Sequence, residues 1–196
     1  MYSDPNSVKR IASIGAGPIG GGWTAHFLAR GYDVTAYLHD KSEENSFISI
    51  LKTAWVSLTE LGLAQGASMD RLRIVTDLEE ALEGADFVQE SGPERLEIKQ
   101  QLYSEMGKIL PRSIIIGSST SGLMMSDIQS DCSTPERTVI GHPFNPPYLL
   151  PLVEIVGGKK TASEEVACAC LLYTSDADDE MDGVGRGGRG KLKEGG

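Results

Sequence analysis

Residues 11–23 read Ile11-Ala12-Ser13-Ile14-Gly15-Ala16-Gly17-Pro18-Ile19-Gly20-Gly21-Gly22-Trp23. A short apolar run meets a glycine cluster, and a helix-compatible stretch follows. Gly15 to Gly20 spell G-x-G-x-x-G, a weak pattern alone that gains weight from a strand directly before it and a helix directly after it. Gly15 permits the tight turn, Gly17 lets the backbone approach a pyrophosphate, and Gly20 lets helix pack on strand. Pro18 and Ile19 complete the turn. The N–H groups and partial positive charge of the helix that starts there favour an anion. A purely structural glycine-rich turn is the alternative.

A dinucleotide-binding turn of this kind usually has an Asp or Glu at the end of its second strand, accepting hydrogen bonds from the adenosine ribose. The expected position is Leu38. Asp40 follows two residues later and reaches the ribose only if its loop folds back; otherwise it is a solvated loop aspartate. No Arg follows to receive a 2′-phosphate, although Lys41 is present, so the pattern favours NAD over NADP.

Outward from this turn, short β-rich runs alternate with longer amphipathic stretches, the pattern of a parallel sheet with crossover helices. Strands are expected at 11–14, 33–38, 72–75, 87–89, 114–116, 138–141 and 152–156. Helices are expected at 19–30, ended by Gly31, and at 42–61, where Phe47, Ile50, Leu51, Ala54, Trp55, Leu58 and Leu61 fall at spacings of three and four. Shorter helices fit 77–82 and 126–130, and Pro93 is placed to open another. The fold class is α/β: a Rossmann-like, doubly wound, mostly parallel sheet spanning residues 1–169.

Thr161 and Glu164 look like a capping box, but the helix they would begin is not expected to develop. Residues 170–196 carry an acidic segment and then seven glycines among the last fourteen residues. Such a segment buries too little apolar surface to offset its ordering entropy, and reads as a disordered tail. Cys170 to Ala177 also resembles a conceptual translation of the transposon-end adapter used in shotgun DNA sequencing. On that reading the tail is a non-native read-through; a natural acidic, glycine-rich tail is the alternative.

The net charge of −10 and the lack of a dense Lys/Arg cluster before residue 186 argue against a nucleic-acid partner. Cys132, Cys168 and Cys170 are odd in number and form no CxxC pair, which indicates neither a disulfide framework nor a zinc site. The apolar runs are too short to span a membrane, and Met1 to Arg10 lacks the core of a secretory signal. A cytoplasmic protein with a small-molecule substrate and no metal is expected.

A second constellation lies in Ser118-Ser119-Thr120-Ser121-Gly122 and in the segment from Gly141 to Glu154. A Ser/Thr-rich segment after a central strand falls at the carboxyl edge of the sheet, where α/β folds bind ligands. His142 also ends a strand. Imidazole exchanges a proton near neutral pH, so His142 is the candidate general base, and Glu154 is placed to fix its tautomer and stabilise its protonated form. A structural histidine is the alternative.

The chain from Lys9 to about Glu165 resembles the NAD-binding domain of the 3-hydroxyacyl-CoA dehydrogenase family, through Gly15 to Gly20, Gln89-Glu90-Ser91-Gly92-Pro93-Glu94-Arg95, Ser118 to Ser121, and His142 to Glu154. The resemblance implies that His142 is the base and Glu154 its partner, that Ser121 hydrogen-bonds the reacting oxygen, and that Asn145 lines the site. It places Glu94 near the nicotinamide ribose and Ser119 with the cofactor. Pro143 after the histidine, Gly22-Trp23 and the Gln-Glu-Ser-Gly-Pro-Glu-Arg segment are most similar to the branch that oxidises L-carnitine to 3-dehydrocarnitine. A 3-hydroxyacyl-CoA dehydrogenase and an L-gulonate 3-dehydrogenase are the alternatives, and a crystallin-like, non-catalytic nucleotide binder is one of another class. Tyr148 is a candidate contact for a trimethylammonium group. The family's helical C-terminal domain is absent, and with it part of the cleft and the main homodimer interface. The chain as given is therefore expected to be an inactive or nearly inactive fragment with an exposed apolar face.

Overall fold

The computed structural model describes residues 7–178, with side chains described as far as Tyr173. Among these residues seven strands form one sheet: β1 (Arg10–Ile14), β2 (Asp33–Tyr37), β3 (Leu72–Val75), β4 (Phe87–Glu90), β5 (Ile115–Ser118), β6 (Thr138–Pro143) and β7 (Val153–Gly157). Their order is β3-β2-β1-β4-β5-β6-β7. The first six run parallel.

The helices are α1 (Pro18–Ala29), α2 (Glu44–Leu61), α3 (Leu78–Leu82), α4 (Leu96–Ile109), α5 (Met125–Ile128) and α6 (Ser163–Asp178). Successive strand residues point to opposite faces, and both faces are covered. Ile11, Phe87 and Ile115 join a core with α1 and α2, whereas Ala12, Val88 and Ile116 join a second core with α3, α4 and α5. The stripe expected on α2 packs inward at Phe47, Leu51, Ala54 and Leu58, while Leu61 is exposed. α1 ends as its glycine suggests: Gly31 sits at φ +85°, and the N–H groups of Gly31 and Tyr32 donate back to the carbonyls of Leu28 and Phe27.

The chain leaves β1 toward β2 and β3, then crosses back to β4 on its other side. That reversal opens a crevice at the carboxyl ends of β1 and β4, the place where doubly wound sheets bind ligands.

Three expectations are corrected. α4 starts at Leu96, because Arg95 stays extended; Pro93 instead belongs to the loop before it. β7 is antiparallel to β6, which keeps the sheet mostly parallel as expected; residues 144–152 are too few for a crossover, which takes about a dozen or more. Thr161 is not the cap expected of it: its hydroxyl donates to the Thr138 carbonyl and accepts the Gly158 N–H. α6 continues past Cys170, where order was expected to stop, because Ala169 and Leu172 bury against the first core with Val166 and Tyr173 beside them. Residues 179–196, most of the expected tail, lie outside the described residues.

Candidate active site

The first wall of the crevice is the glycine-rich turn. Gly15 adopts φ +115°, and a Cβ there would strike the Ser91 carbonyl. A Cβ on Gly20 would strike the Gly15 carbonyl, whereas one on Gly17 would meet nothing within 4 Å. The chain's own packing therefore demands glycine at Gly15 and Gly20 but not at Gly17, whose open backbone fits an incoming group. Gly17 is the N-cap of α1, and Pro18 is its first residue. No side chain caps the first turn, and no acidic residue lies in it. Its unpaired N–H groups suit a pyrophosphate. The crevice, about 670 Å³, runs from Gly15 and Gly17 to Ser91 and Pro93 on one side and to Tyr37, His39 and Glu43 on the other. The turn, with Ile19 behind it, fits NAD.

Beyond it lies a polar network that the sequence reading missed. Glu90 ends β4 fully buried, and its Oε1 accepts from Lys99 Nζ at 2.6 Å and from the Gly92 N–H at 2.6 Å. Glu90 Oε2 accepts the Ser118 hydroxyl at 2.7 Å. One carboxylate thus ties the Ser91–Pro93 wall to the end of β5. The available signal was the spacing of Leu96, Lys99, Tyr103 and Met106, which puts Lys99 on the inward stripe of α4.

Glu94 reaches from that wall to the Ser/Thr turn. Its Oε1 accepts from the Thr120 hydroxyl at 2.6 Å and from the N–H groups of Ser121 at 3.1 Å and Gly122 at 3.0 Å. Partial burial pushes the Glu94 carboxyl up, but the Thr120, Gly122 and Ser121 donors and the Lys99 charge outweigh it and hold the group below its ordinary range. Ser119 pairs with Ser91 at 2.8 Å and accepts from the Gln89 amide at 2.9 Å.

At the same edge, β6 and β7 place His142 directly opposite Glu154. His142 Nδ1 lies 2.9 Å from Glu154 Oε2, which leaves Nε2 on the far side of the ring. Ser118 is in register with Ile140 on the neighbouring strand, so the turn at 119–121 and His142 leave the sheet side by side. Ser121 and Asn145 are exposed there. Phe144 packs with its ring centroid 5.8 Å from that of His142, and Phe144, Leu149, Leu150 and Leu152 are exposed apolar residues of the segment joining β6 to β7. Tyr148 is half-buried, and it lies with Pro147 against α1 at Gly22.

The structure does not bring Asp40 into the crevice. Its carboxylate accepts the Ser42 N–H at 2.7 Å as the cap of the turn before α2. Leu38 is fully buried in the first core. Among the described residues no helix is long and apolar enough to cross a membrane.

Comparison with known proteins agrees with this geometry. Residues 10–175 match the model of the 3-hydroxyacyl-CoA dehydrogenase NAD-binding domain. An L-carnitine dehydrogenase of Streptomyces coelicolor is 51% identical over 171 residues, covering 87% of this chain and 54% of that protein. One from Pseudomonas putida is 47% identical over 168 residues, covering 86% and 52%. The chain thus spans about half the length of the curated relatives it matches. Among solved structures, 3-hydroxybutyryl-CoA dehydrogenase of Escherichia coli superposes with a TM-score of 0.80 at 31% identity, over 87% of this chain and 37% of that one. An NAD+-dependent 5-formyl-3-hydroxy-2-methylpyridine 4-carboxylic acid 5-dehydrogenase gives 0.79 at 35% identity, over 86% and 55%. The family model covers more than half of the chain, and the sheet order matches these structures: the chain belongs to the 3-hydroxyacyl-CoA dehydrogenase family, as its NAD-binding domain.

Proposed function

We propose that the protein containing this domain oxidises the secondary alcohol of a small 3-hydroxy acid, L-carnitine to 3-dehydrocarnitine. The observation that carries the reading is the 2.9 Å contact between His142 and Glu154 at the carboxyl edge of the sheet. With Nδ1–H donated to the carboxylate, Nε2 is the free base that takes the substrate's hydroxyl proton. Glu154 then stabilises the imidazolium. Ser121 orients the reacting oxygen and Asn145 lines the same face, holding the substrate in a geometry close to reaction. NAD, when bound, supplies the acceptor for the hydride that leaves the carbinol carbon.

The choice of L-carnitine is supported by the names of relatives about half identical to this chain. The test is NADH formation by the full-length protein with L-carnitine, L-gulonate and a 3-hydroxyacyl-CoA. L-Carnitine is expected to be turned over fastest. Preference for either other alcohol replaces the substrate, and NAD binding without turnover of any of them favours the crystallin-like alternative.

Three further readings belong to this proposal. The full-length protein is a homodimer in the cytoplasm. The exposed apolar residues of the segment joining β6 to β7 are covered by parts of the protein outside this chain. Residues 170–196 are a read-through of adapter sequence, and raw reads are expected to run into adapter at the Cys170 codon; reads that continue into genomic DNA would discard this.

A further inference from the structure

The crevice lacks a carboxylate where β2 ends, because Leu38 is buried there. Asp40 turns away to cap the turn before α2, and in return Glu43 Oε2 accepts the Asp40 N–H at 3.3 Å. This reciprocal box holds both side chains. Of the two, only Glu43 lines the crevice, beside Tyr37 and His39. It is half-buried and lies 23 residues past Gly20, close to the interval of about 20 at which a ribose-binding carboxylate is expected. Burial first, and then the charges of Glu105, Asp77 and Glu43, push the Tyr37 hydroxyl above its ordinary pKa, which places Glu43 among the carboxylates around that ring. Glu105, across the crevice on α4, is engaged by the Gln101 amide at 3.0 Å. Lys41 is exposed on the turn and does not line the crevice.

We propose that Glu43 takes over the work of the missing β2 carboxylate, accepting a hydrogen bond from an adenosine ribose hydroxyl of NAD and repelling the 2′-phosphate of NADP. The proposal rests on the cofactor reading of this crevice, and the experiment separates the two. NAD+ and NADP+ are titrated by calorimetry into the wild-type chain, Glu43→Gln and Asp40→Asn. Glutamine still completes a capping box and asparagine is still a good N-cap, so both variants keep the start of α2.

Wild type is expected to prefer NAD+. In Glu43→Gln the ratio of the NADP+ to the NAD+ Kd should fall at least ~10-fold, the scale of one charged hydrogen bond lost and one like-charge repulsion relieved. Asp40→Asn should leave both constants within about twofold of wild type, because its charge lies outside the crevice and surface electrostatics at that range is weak. An unchanged ratio in Glu43→Gln, or an equal shift in Asp40→Asn, overturns the assignment of Glu43. Failure of the wild-type chain to bind either nucleotide overturns the cofactor reading and the proposal with it.

Discussion

Two acid–base pairs lie at the carboxyl edge of the sheet with opposite exposure. Lys99 and Glu90 meet at 2.6 Å with side chains 1% and 0% exposed, while His142 and Glu154 meet at 2.9 Å with side chains 27% and 59% exposed. The first pair is sealed from any substrate. Glu90's other contacts go to Gly92 and Ser118, the two places where the crevice wall leaves the sheet, and Lys99 Nζ also lies 3.9 Å from Glu94 Oε2. The second pair is partly open to solvent. Burial therefore separates the two: the dry pair fixes the geometry of the wall, and on the proposed reading the wet pair moves a proton.

The comparison breaks most sharply at Lys99. Lys99→Met keeps the length of the stem but leaves Glu90 buried without its cation, and removing one partner of a buried pair costs about 3–5 kcal/mol. Urea unfolding of the chain measures this. Lys99→Met with Glu90→Gln should recover much of the loss, since the uncompensated charge is gone. A single variant as stable as wild type would mean that water reaches the pair.

At the exposed pair the expected loss lies in turnover. His142→Ala in the full-length protein should lower kcat by at least ~100-fold, the scale of a lost acid–base group, with NAD affinity and urea midpoint nearly unchanged. Glu154→Gln should cost less in rate and no more than ~1 kcal/mol in stability, as exposed ion pairs do. Were His142→Ala to unfold the domain instead, this pair would belong with the first.

How much of this was legible in the sequence follows the same division. The turn from Gly15 to Gly20 and the α2 stripe are local patterns, written in neighbouring residues, and both stand in the fold where the sequence puts them. His142 and Glu154 were legible as residue types and by resemblance. Their contact is fixed by the antiparallel register of β6 and β7, which residue spacing alone does not supply. Lys99–Glu90 was not legible, because a charge pattern does not say which charges are desolvated. What Asp40 does in the turn was not legible for a related reason: two carboxylates lie three residues apart, and only the backbone of the turn decides that Asp40 becomes its cap. α6 was misjudged because average composition after Cys170 hid the single apolar face of Ala169, Leu172 and Tyr173.

The smallest expected effect sharpens the comparison from a third carboxylate. Glu165, on α6, is as buried as Glu90, but neither of its oxygens has a hydrogen-bond partner among the described residues. Burial pushes its carboxyl up to about 7; the Arg137 charge opposes this, and the charges of Glu136 and Glu164 add to it. The folded state therefore holds a proton that the unfolded chain, titrating near 4.5, has already lost. Its contribution to stability is complete below pH ~4.5 and is lost progressively as pH rises to about 7, because over that range the folded state binds more protons. The melting temperature should fall by a few degrees across that window, and Glu165→Gln should flatten that part of the slope and raise the melting temperature at pH 8. A wild-type profile that Glu165→Gln leaves unchanged would show that Glu165 is charged and partnered in solution, and that burial at this end of α6 does not isolate it.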